Sequence, residues 1–304
     1  MSEAPSTAPV CYRHPSRETL LSCSRCDRPI CTSCMNDAVV GHHCPDCVKE
    51  GRRSQRPART AFGGSRAGRL GYVCQAIIAV NVLFLIASAI LGGPQAIAGG
   101  GGWFGLLGIG TPVTQWGAVL GYAGYGGEIH GVASGEWYRL VTAMFINYGA
   151  VHLLLNMSLV ATMGRYLERQ LGPARFLALY LLAGFGGNVA AYVFQPPFGQ
   201  SAGASTATFG LIIAVIVINR RMALDVGPVM PLLITNLLFT FTVPGISVAG
   251  HLGGLAVGAA AAAVLAYAKM PRRALKQVIG LVAVLLLILA AVVLRTMALL
   301  NIYG

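Results

Sequence analysis

The sequence predicts an all-α polytopic membrane protein that is preceded by a small zinc-binding domain. Of the 304 residues, 55% are hydrophobic and only 11% are charged. Several apolar runs approach the length of about 20 residues that a helix needs to cross a bilayer. The first 70 residues differ, because they are polar, basic and rich in cysteine. These contrasts exclude a soluble enzyme and separate a cytosolic module from a membrane part.

We therefore expect four segments along the chain. They are a zinc-binding domain at 1–48, a basic flexible linker at 49–70, six membrane helices at 71–270 and one further transmembrane helix at 271–304. No signal peptide is expected, because the amino terminus lacks a basic patch followed by an apolar core. Arginine outnumbers lysine by 19 to 3, which together with abundant alanine and glycine favours a bacterial source.

Four pairs of potential metal ligands lie in the first segment, each pair with two intervening residues. This spacing lets a tight turn aim two ligands at one tetrahedral zinc ion. Eight ligands make two closed sites, so we expect structural zinc to supply much of the folding free energy of this short domain. The ligands are Cys11, His14, Cys23, Cys26, Cys31, Cys34, Cys44 and Cys47.

Two alternatives stay open for this domain. His42 or His43 could replace Cys44 or Cys47 as a ligand, and in an oxidising compartment the cysteines would pair as disulfides. The spacing resembles that of B-box zinc fingers, which implies that the first and third pairs share one metal and the second and fourth pairs the other. Nucleic-acid binding is disfavoured, because no aromatic stacking platform accompanies the basic residues. A cytosolic protein partner is therefore expected.

Seven apolar runs can span the membrane. With the amino terminus in the cytosol, 20 of the 22 basic residues fall on the cytosolic side, as the positive-inside rule requires. The expected location is the inner or plasma membrane, with the carboxyl terminus outside. The basic linker either rests on anionic lipid headgroups or is a solvated tether. The runs cover about 71–92, 150–169, 174–195, 203–219, 228–244, 249–268 and 277–299.

The stretch from Gly93 to Tyr138 is apolar but interrupted by glycine and proline. A span at 103–127 would reverse the side of every later loop and destroy the charge asymmetry. We therefore expect an external loop or a hairpin that lies in the membrane interface. Trp137 and Arg139 at its end could serve as an interfacial anchor.

Polar residues in three of the apolar runs predict a catalytic site. Ser205 begins a run that carries no charge before Arg220, and His251 is a lone histidine in another run. An ionisable group at membrane depth is costly, so a hydroxyl and an imidazole there favour a nucleophile and its base. His152 and Asn156 are four residues apart and share a helix face. They would either donate hydrogen bonds to a tetrahedral intermediate or only join helices.

No carboxylate accompanies this histidine, because no Asp or Glu of the sequence lies in a span near it. The residues therefore predict a dyad, in which His251 is positioned by packing and by its bond to Ser205. Gly254 and Gly258 follow His251 on one helix face. A face without side chains lets the Ser205 helix approach closely.

The chain resembles the rhomboid intramembrane serine proteases over about residues 71–270. The resemblance implies a six-helix core with a seventh helix appended, and cleavage within the transmembrane segments of membrane-protein substrates in the lipid bilayer. No cofactor is implied for catalysis. The residues that carry the resemblance are Trp137, Arg139, His152, Asn156, Glu168, Gly172, Gly203, Ser205, Gly250, His251, Leu252, Gly253, Gly254 and Gly258.

The resemblance also implies roles for individual residues. Ser205 would be the nucleophile and His251 the general base. The oxyanion donors would be His152, Asn156 and the backbone N–H of Ser205. An external loop would pack through Trp137 and Arg139, and the ring of Phe209 would stack on the histidine.

One residue departs from the family pattern. Thr206 stands where the family usually has glycine after the serine, and its branched side chain could crowd the oxyanion site. Two other classes of function compete with proteolysis. The first is a non-catalytic membrane adaptor that binds transmembrane clients while the zinc finger recruits a partner. A transporter is disfavoured, because no charged residue lines the spans.

Overall fold

The computed structural model of the protein describes residues 8–54, 59–99, 110–125 and 127–303. The chain divides into two compact units, Met1–Ala58 and Arg59–Gly304. The first unit contains the cysteine pairs, and the second contains all seven predicted membrane runs.

The first unit is built from short strands and one helix around its cysteines. Strand β1 (Val10–Cys11) pairs antiparallel with β2 (His14–Glu18), and β3 (Asn36–Asp37) pairs with β4 (His42–His43). Helix α1 covers Pro45–Ser54. The buried cluster consists of Ile30 and six of the seven cysteines. Aliphatic side chains contribute little to this core, so such a small domain needs a further source of stability.

The second unit is helical, with one short hairpin. In chain order the elements are α2 (Tyr72–Gly92), α3 (Gln95–Ala98), α4 (Pro112–Gly117), β5 (Ala123–Tyr125), β6 (Glu128–His130), α5 (Arg139–Thr142), α6 (Ala150–Leu159), α7 (Arg165–Leu171), α8 (Pro173–Phe194), α9 (Ser205–Arg221), α10 (Met230–Thr242), α11 (Val248–Tyr267) and α12 (Arg273–Tyr303). A π-helical segment, Val160–Gly164, makes α6 and α7 one continuous helix. Strands β5 and β6 pair antiparallel.

Each predicted membrane run coincides with one helix or, at 150–169, with the continuous helix Ala150–Leu171, but these helices differ in length. Among the described residues, four helices are long and apolar enough to cross a membrane, namely α2, α8, α11 and α12. The pair Arg139–Phe145 and Ala150–Leu171, bent by 91°, would make a fifth. Helices α9 and α10 have only 17 and 13 residues. Both helices are shorter than about 20 residues, so helix length alone does not identify them as spans and the count of seven spans stays a prediction.

Glycines set the distance between the two helices at the centre of the unit, α9 and α11. A Cβ atom on Gly254 would overlap the carbonyl oxygen of Thr206, and one on Gly258 would overlap the backbone of Gly210. Small residues at such contacts let backbones approach closely, which is the main source of packing energy between helices in lipid. The two backbones therefore touch over about one turn.

The carboxylate of Glu168 caps a membrane helix. It is fully buried and accepts hydrogen bonds from the backbone N–H groups of Val73 and Cys74 at 3.2 and 3.0 Å. These groups lie in the first turn of α2, where backbone donors lack intrahelical partners. A negative charge at this end also interacts favourably with the helix dipole.

The glycine-rich stretch between α2 and α5 contains no spanning helix within its described residues. Residues 100–109, which cover part of the rejected span at 103–127, lie outside the described residues. The part that follows forms α4 and the β5–β6 hairpin. This part agrees with the expected loop or hairpin.

Arg139 joins two parts of this loop. Its side chain is 1% exposed and donates to the Glu136 carboxylate at 2.7 Å. It also donates to the carbonyl oxygens of Gln115 and Ala118 at 2.6 and 3.1 Å. The guanidinium therefore ties the end of α4 to the start of α5. Burial raises the pKa of Glu136, but hydrogen bonds from Arg139 and His130 outweigh this and lower it to about 2.

The prediction that Trp137 packs the loop is wrong. Its side chain is 69% exposed, whereas its neighbour Arg139 is buried. Trp116 and Tyr138 form the ring pair at this point instead, with centroids 5.2 Å apart. An exposed indole at the end of such a loop suits the membrane interface, where its apolar ring and N–H are both accommodated.

Candidate active site

Ser205 and His251 are in hydrogen-bond contact although 46 residues separate them. Ser205 is the first residue of α9, and His251 lies in the first turn of α11. The distance from Ser205 Oγ to His251 Nε2 is 2.7 Å. The imidazole is therefore within reach of the hydroxyl proton. The close approach of α9 and α11 at the glycines brings these two side chains together.

The ring of Phe209 fixes the plane of the histidine. Phe209 lies one turn after Ser205 on α9 and is 2% exposed. Its ring centroid is 4.3 Å from that of His251, and the two planes differ by 20°. Such a stack restricts tilting of the imidazole.

The second ring nitrogen of His251 contacts a residue that the sequence did not predict. Thr240 on α10 places its Oγ1 at 2.7 Å from His251 Nδ1. The same hydroxyl donates to the carbonyl oxygen of Asn236 at 2.8 Å, one turn earlier. Within the described residues, the groups bonded to the imidazole are two hydroxyls and no carboxylate. A threonine in an apolar helix usually bonds back to its own backbone, so no pattern in the sequence indicated this role.

His152 is arranged as a hydrogen-bond donor. The backbone N–H of Tyr148 donates to His152 Nδ1 at 3.2 Å. Because Nδ1 accepts, the proton of the neutral ring is on Nε2. A Cβ atom placed on Gly203 would lie 3.2 Å from this Nε2 and 3.1 Å from Ser205 Oγ. The Nε2–H of His152 therefore points to the space beside the serine hydroxyl.

A buried chain of three asparagines orients Asn156. Its Nδ2 donates to Asn147 Oδ1 at 3.0 Å, and Asn147 Nδ2 donates to Asn81 Oδ1 at 2.9 Å. The last hydrogen bond of this series is donated by Asn81 Nδ2 to the carbonyl oxygen of Ile77 at 2.9 Å. A carbonyl can only accept, so this end sets the direction of every bond. One N–H of the Asn156 amide stays available for another acceptor.

Two further features shape the space beside Ser205. The backbone N–H of Ser205 is at the first position of α9, where an N–H has no intrahelical partner. Gly203 has a φ of +147°, which a residue with a side chain rarely adopts. A side chain there would also press on Ser205 and His152. The backbone thus stays close to the reacting hydroxyl.

Thr206 is buried between helices and is also among the residues around the serine and histidine. A Cβ atom on Gly187 would lie 2.6 Å from Thr206 Cβ, and one on Gly250 would lie 3.2 Å from Thr206 Cγ2. Its hydroxyl is 3.4 Å from the carbonyl oxygen of Gly184 on α8. Two glycines therefore accommodate the branched side chain that replaces the usual glycine.

A cavity of about 600 Å³ opens over the serine and histidine. Its volume is within the range of about 300–1,000 Å³ that is common for ligand sites. Helix α10 contributes both apolar and polar side chains to the lining, and α6, α9 and α11 contribute the polar groups described above. The lining includes His152, Asn156, Ser205, Leu232, Phe239 and His251.

The first unit contains two clusters of metal-binding side chains. The ligand atoms within each cluster all lie within 4.8 Å of one another, and the distances from His14 Nδ1 to three sulfurs are 3.3–3.8 Å. Four ligands at about 2.0–2.3 Å from a tetrahedral zinc ion have such separations, so both clusters fit this metal. One cluster is Cys11, His14, Cys31 and Cys34, and the other is Cys23, Cys26, Cys44 and Cys47.

The composition of the two clusters can be compared with the alternatives raised by the sequence, namely a histidine ligand at 42 or 43 and disulfide bonds between the cysteines. The first pair meets the third and the second meets the fourth, which is the pairing that the B-box resemblance implies. His42 Nδ1 lies 3.2 Å from an oxygen of Asp37 and is not a member of either cluster. All eight cysteines of the chain are free thiols in the structure, so no disulfide is formed.

The fold and the site define a class: a polytopic helical membrane protein with a serine, a histidine and converging hydrogen-bond donors around one cavity. The model of the rhomboid domain family matches residues 134–268. The chain belongs to the rhomboid family.

Curated relatives include proteins from bacteria and plants. Rhomboid protease GluP of Bacillus subtilis is 41% identical over 143 residues, which are 45% of this chain and 28% of GluP. Putative rhomboid protease YdcA of the same organism is 37% identical over 133 residues, or 42% of this chain and 67% of YdcA. RHOMBOID-like protein 4 of Arabidopsis thaliana is 33% identical over 134 residues, which are 42% of this chain and 34% of that protein. Since these sources differ, the bacterial origin stays a prediction.

Proposed function

We propose that the protein is an intramembrane serine endopeptidase in which Ser205 is the nucleophile and His251 the general base. The observation that carries this proposal is the 2.7 Å contact between Ser205 Oγ and His251 Nε2. Membership of a family with named rhomboid proteases supports it. The cavity above the pair provides room for a peptide segment.

The first step is attack by the serine on the scissile carbonyl carbon. Ser205 Oγ forms the new C–O bond while its proton moves to His251 Nε2. The carbonyl π electrons move to the oxygen, which becomes an oxyanion. The Nε2–H of His152, the free N–H of Asn156 and the backbone N–H of Ser205 would donate to this oxygen. His152 Nε2 and Ser205 Oγ both lie within 3.2 Å of the point where a Cβ atom on Gly203 would be, and Asn156 lines the same cavity.

The second step breaks the peptide bond. When the intermediate collapses, the C–N bond breaks and His251 returns its proton to the leaving amine. Water then attacks the acyl-enzyme with His251 again as base, which releases the new carboxylate and restores Ser205. A transmembrane substrate must unwind locally before its carbonyl becomes accessible, so helix-breaking residues near the cut are expected.

Amino-acid changes at the serine test this proposal in liposomes that contain the full chain and a transmembrane substrate. Ser205→Ala should abolish cleavage and labelling by a fluorophosphonate probe. Ser134→Ala, which removes an exposed loop hydroxyl, should leave both unchanged. Full cleavage by Ser205→Ala would overturn the assignment. Absence of both cleavage and labelling in the natural protein would favour the membrane adaptor instead.

We propose in addition that each cysteine cluster binds one structural zinc ion. The four donors of each cluster satisfy a tetrahedral zinc ion, and the unit has few other buried side chains. Metal analysis of the full chain should give two zinc ions per molecule. Cys23→Ala should lower this to one, whereas Cys74→Ala, which removes the cysteine outside the clusters, should leave two. A full zinc content in Cys23→Ala would contradict the second site.

The proposal includes the division of the chain into segments and the side of the membrane on which each segment lies. Residues 1–48 and the linker at 49–70 would lie in the cytosol, the protease core would occupy 71–270, and the helix at 271–304 would end outside. The charge asymmetry of the loops supports this orientation. The dyad would then open to the extracytoplasmic side, and the zinc domain would be available to a cytosolic protein partner.

A further inference from the structure

We infer that Thr240 is a positioning residue, whose hydroxyl holds His251 in the tautomer that can accept the serine proton. This inference rests on the proposed function and adds a third member to its catalytic pair. The sequence offers no carboxylate for this task, and the structure places a neutral hydroxyl where soluble serine hydrolases use an acid.

The hydrogen bonds have only one direction that leaves His251 able to act as a base. The Thr240 hydroxyl has a single proton, which it donates to the carbonyl oxygen of Asn236 at 2.8 Å. Its lone pairs then face His251 Nδ1 at 2.7 Å, so Nδ1 has to carry a proton. Nε2 of the neutral ring is left as an acceptor for Ser205. If the Thr240 hydroxyl instead donated to Nδ1, the proton of the neutral ring would be on Nε2. Nε2 could then not accept the proton of Ser205.

The stack with Phe209 cannot do this alone. Stacking restricts the ring plane, yet a rotation of 180° about the Cβ–Cγ bond keeps the plane and exchanges the ring edges. The bond from Nδ1 to Thr240 distinguishes the two ring orientations, because after rotation a carbon atom would face the hydroxyl. The two contacts therefore have separate tasks, one for the plane and one for the direction.

Of the groups around the His251 imidazole, Thr240 is the one that sets which ring nitrogen carries the proton. The groups that face the imidazole in the described residues are the hydroxyls of Ser205 and Thr240 and the ring of Phe209. His152 is another titratable side chain that lines the same cavity. Thr240 is 2% exposed and lies at the edge of the cavity, so its hydroxyl is almost completely enclosed by protein. Within the described residues this is also the hydrogen bond that connects α10 to another helix.

The test compares three variants of the full chain in liposomes. Thr240→Val keeps the shape and removes the hydroxyl, and we expect kcat to fall about 10- to 100-fold, as for orienting partners of histidine ligands in metal sites. KM should change little, and Thr240→Ser should restore most of kcat. Thr242→Val is the matched control, because Thr242 on the same helix bonds back to Leu238 and is exposed.

The pH profile separates positioning from a structural role. Without the acceptor at Nδ1 the imidazolium loses a hydrogen bond, whereas the neutral ring can avoid this loss by moving its proton to Nε2, so protonation of the ring becomes less favourable. The acid limb of kcat/KM should therefore move to lower pH in Thr240→Val and stay in place in Thr242→Val. Equal kcat values for Thr240→Val and the natural protein, or failure of Thr240→Ser to restore activity, would overturn the inference.

A direct measurement keeps the inference apart from the proposed function. Nitrogen-15 NMR of histidine-labelled protein, assigned with His251→Ala, reports which ring nitrogen carries the proton. We expect a proton on Nδ1 in the natural protein and a mixture of tautomers in Thr240→Val. Cleavage by a protein with the proton on Nε2 would refute the inference alone. A protonated Nδ1 without any cleavage would refute the proposed function alone.

Discussion

The two histidines of the cavity occupy similar surroundings but have opposite hydrogen-bonding arrangements. His251 Nδ1 faces a hydroxyl that accepts, which leaves Nε2 free to accept from Ser205. His152 Nδ1 accepts from the backbone N–H of Tyr148, which leaves Nε2 as a donor. In the proposed function, one imidazole would act as a base and the other as an oxyanion donor.

This difference shows how a site inside a membrane can assign chemical roles without charged side chains. A carboxylate would fix a histidine tautomer more strongly, but burying its charge at membrane depth is costly. A hydroxyl and a backbone N–H are neutral and are already part of the helices and loops. The predictions below test this contrast between the base side, around His251, and the oxyanion side, around His152.

The largest effect is expected on the base side. His251→Ala should lower kcat by a factor of about 10⁴ or more, because the serine loses its proton acceptor. Ser205→Ala should have a similar effect. The double variant should be no worse than either single variant, since the two residues act as one unit. Effects that multiply in the double variant would show that the two side chains act independently.

A smaller effect is expected on the oxyanion side. His152→Ala removes one of three proposed donors, and such a loss costs about 10²–10³ in kcat. KM should be nearly unchanged, because the oxyanion exists only in the transition state and the intermediate. Single-turnover and steady-state cleavage would measure the two constants. A rise in KM with unchanged kcat would assign His152 to substrate binding instead.

The sequence identified Ser205 and His251, which are in hydrogen-bond contact in the structure, but not the residues that support them. Ser205 and His251 stand out because polar groups are rare in apolar runs and mark function. Thr240 does not stand out, since a helical threonine usually bonds to its own backbone. Asn147 lies between helices, and its link to Asn156 depends on how α2 packs. Such contacts arise from tertiary packing, which residue spacing alone does not specify.

The two units of the chain differ in how far residue spacing and hydropathy could predict them. In the first unit, spacing of two residues within each cysteine pair is a local rule, and the eight predicted ligands lie in two clusters. In the second unit, hydropathy located the helices but did not show that α10 has only 13 residues. It also could not show that Trp137 is exposed while Arg139 is buried. Side-chain direction in a loop depends on contacts from distant residues.

Cleavage should be sensitive to any side chain introduced at Gly203, which lies beside both His152 and Ser205. Gly203→Ala introduces a Cβ about 3 Å from both His152 and Ser205 and requires an unfavourable φ. We expect a loss of cleavage of about 10- to 100-fold, because small displacements of reacting groups are costly. Gly124→Ala in the β5–β6 hairpin has open space and is the control. Equal activity of the two variants would show that the backbone tolerates a side chain beside the serine.

The smallest effects should be graded along the asparagine chain of the oxyanion side. Asn147→Leu removes the acceptor that orients Asn156, and we expect kcat to fall about tenfold, the loss of one hydrogen bond. Asn81→Leu acts one bond further away and should cost less. Because Asn147 works through Asn156, adding Asn147→Leu to Asn156→Ala should cause no further loss of kcat. An additive loss in this double-mutant cycle would mean that Asn147 contributes by a route other than the orientation of Asn156.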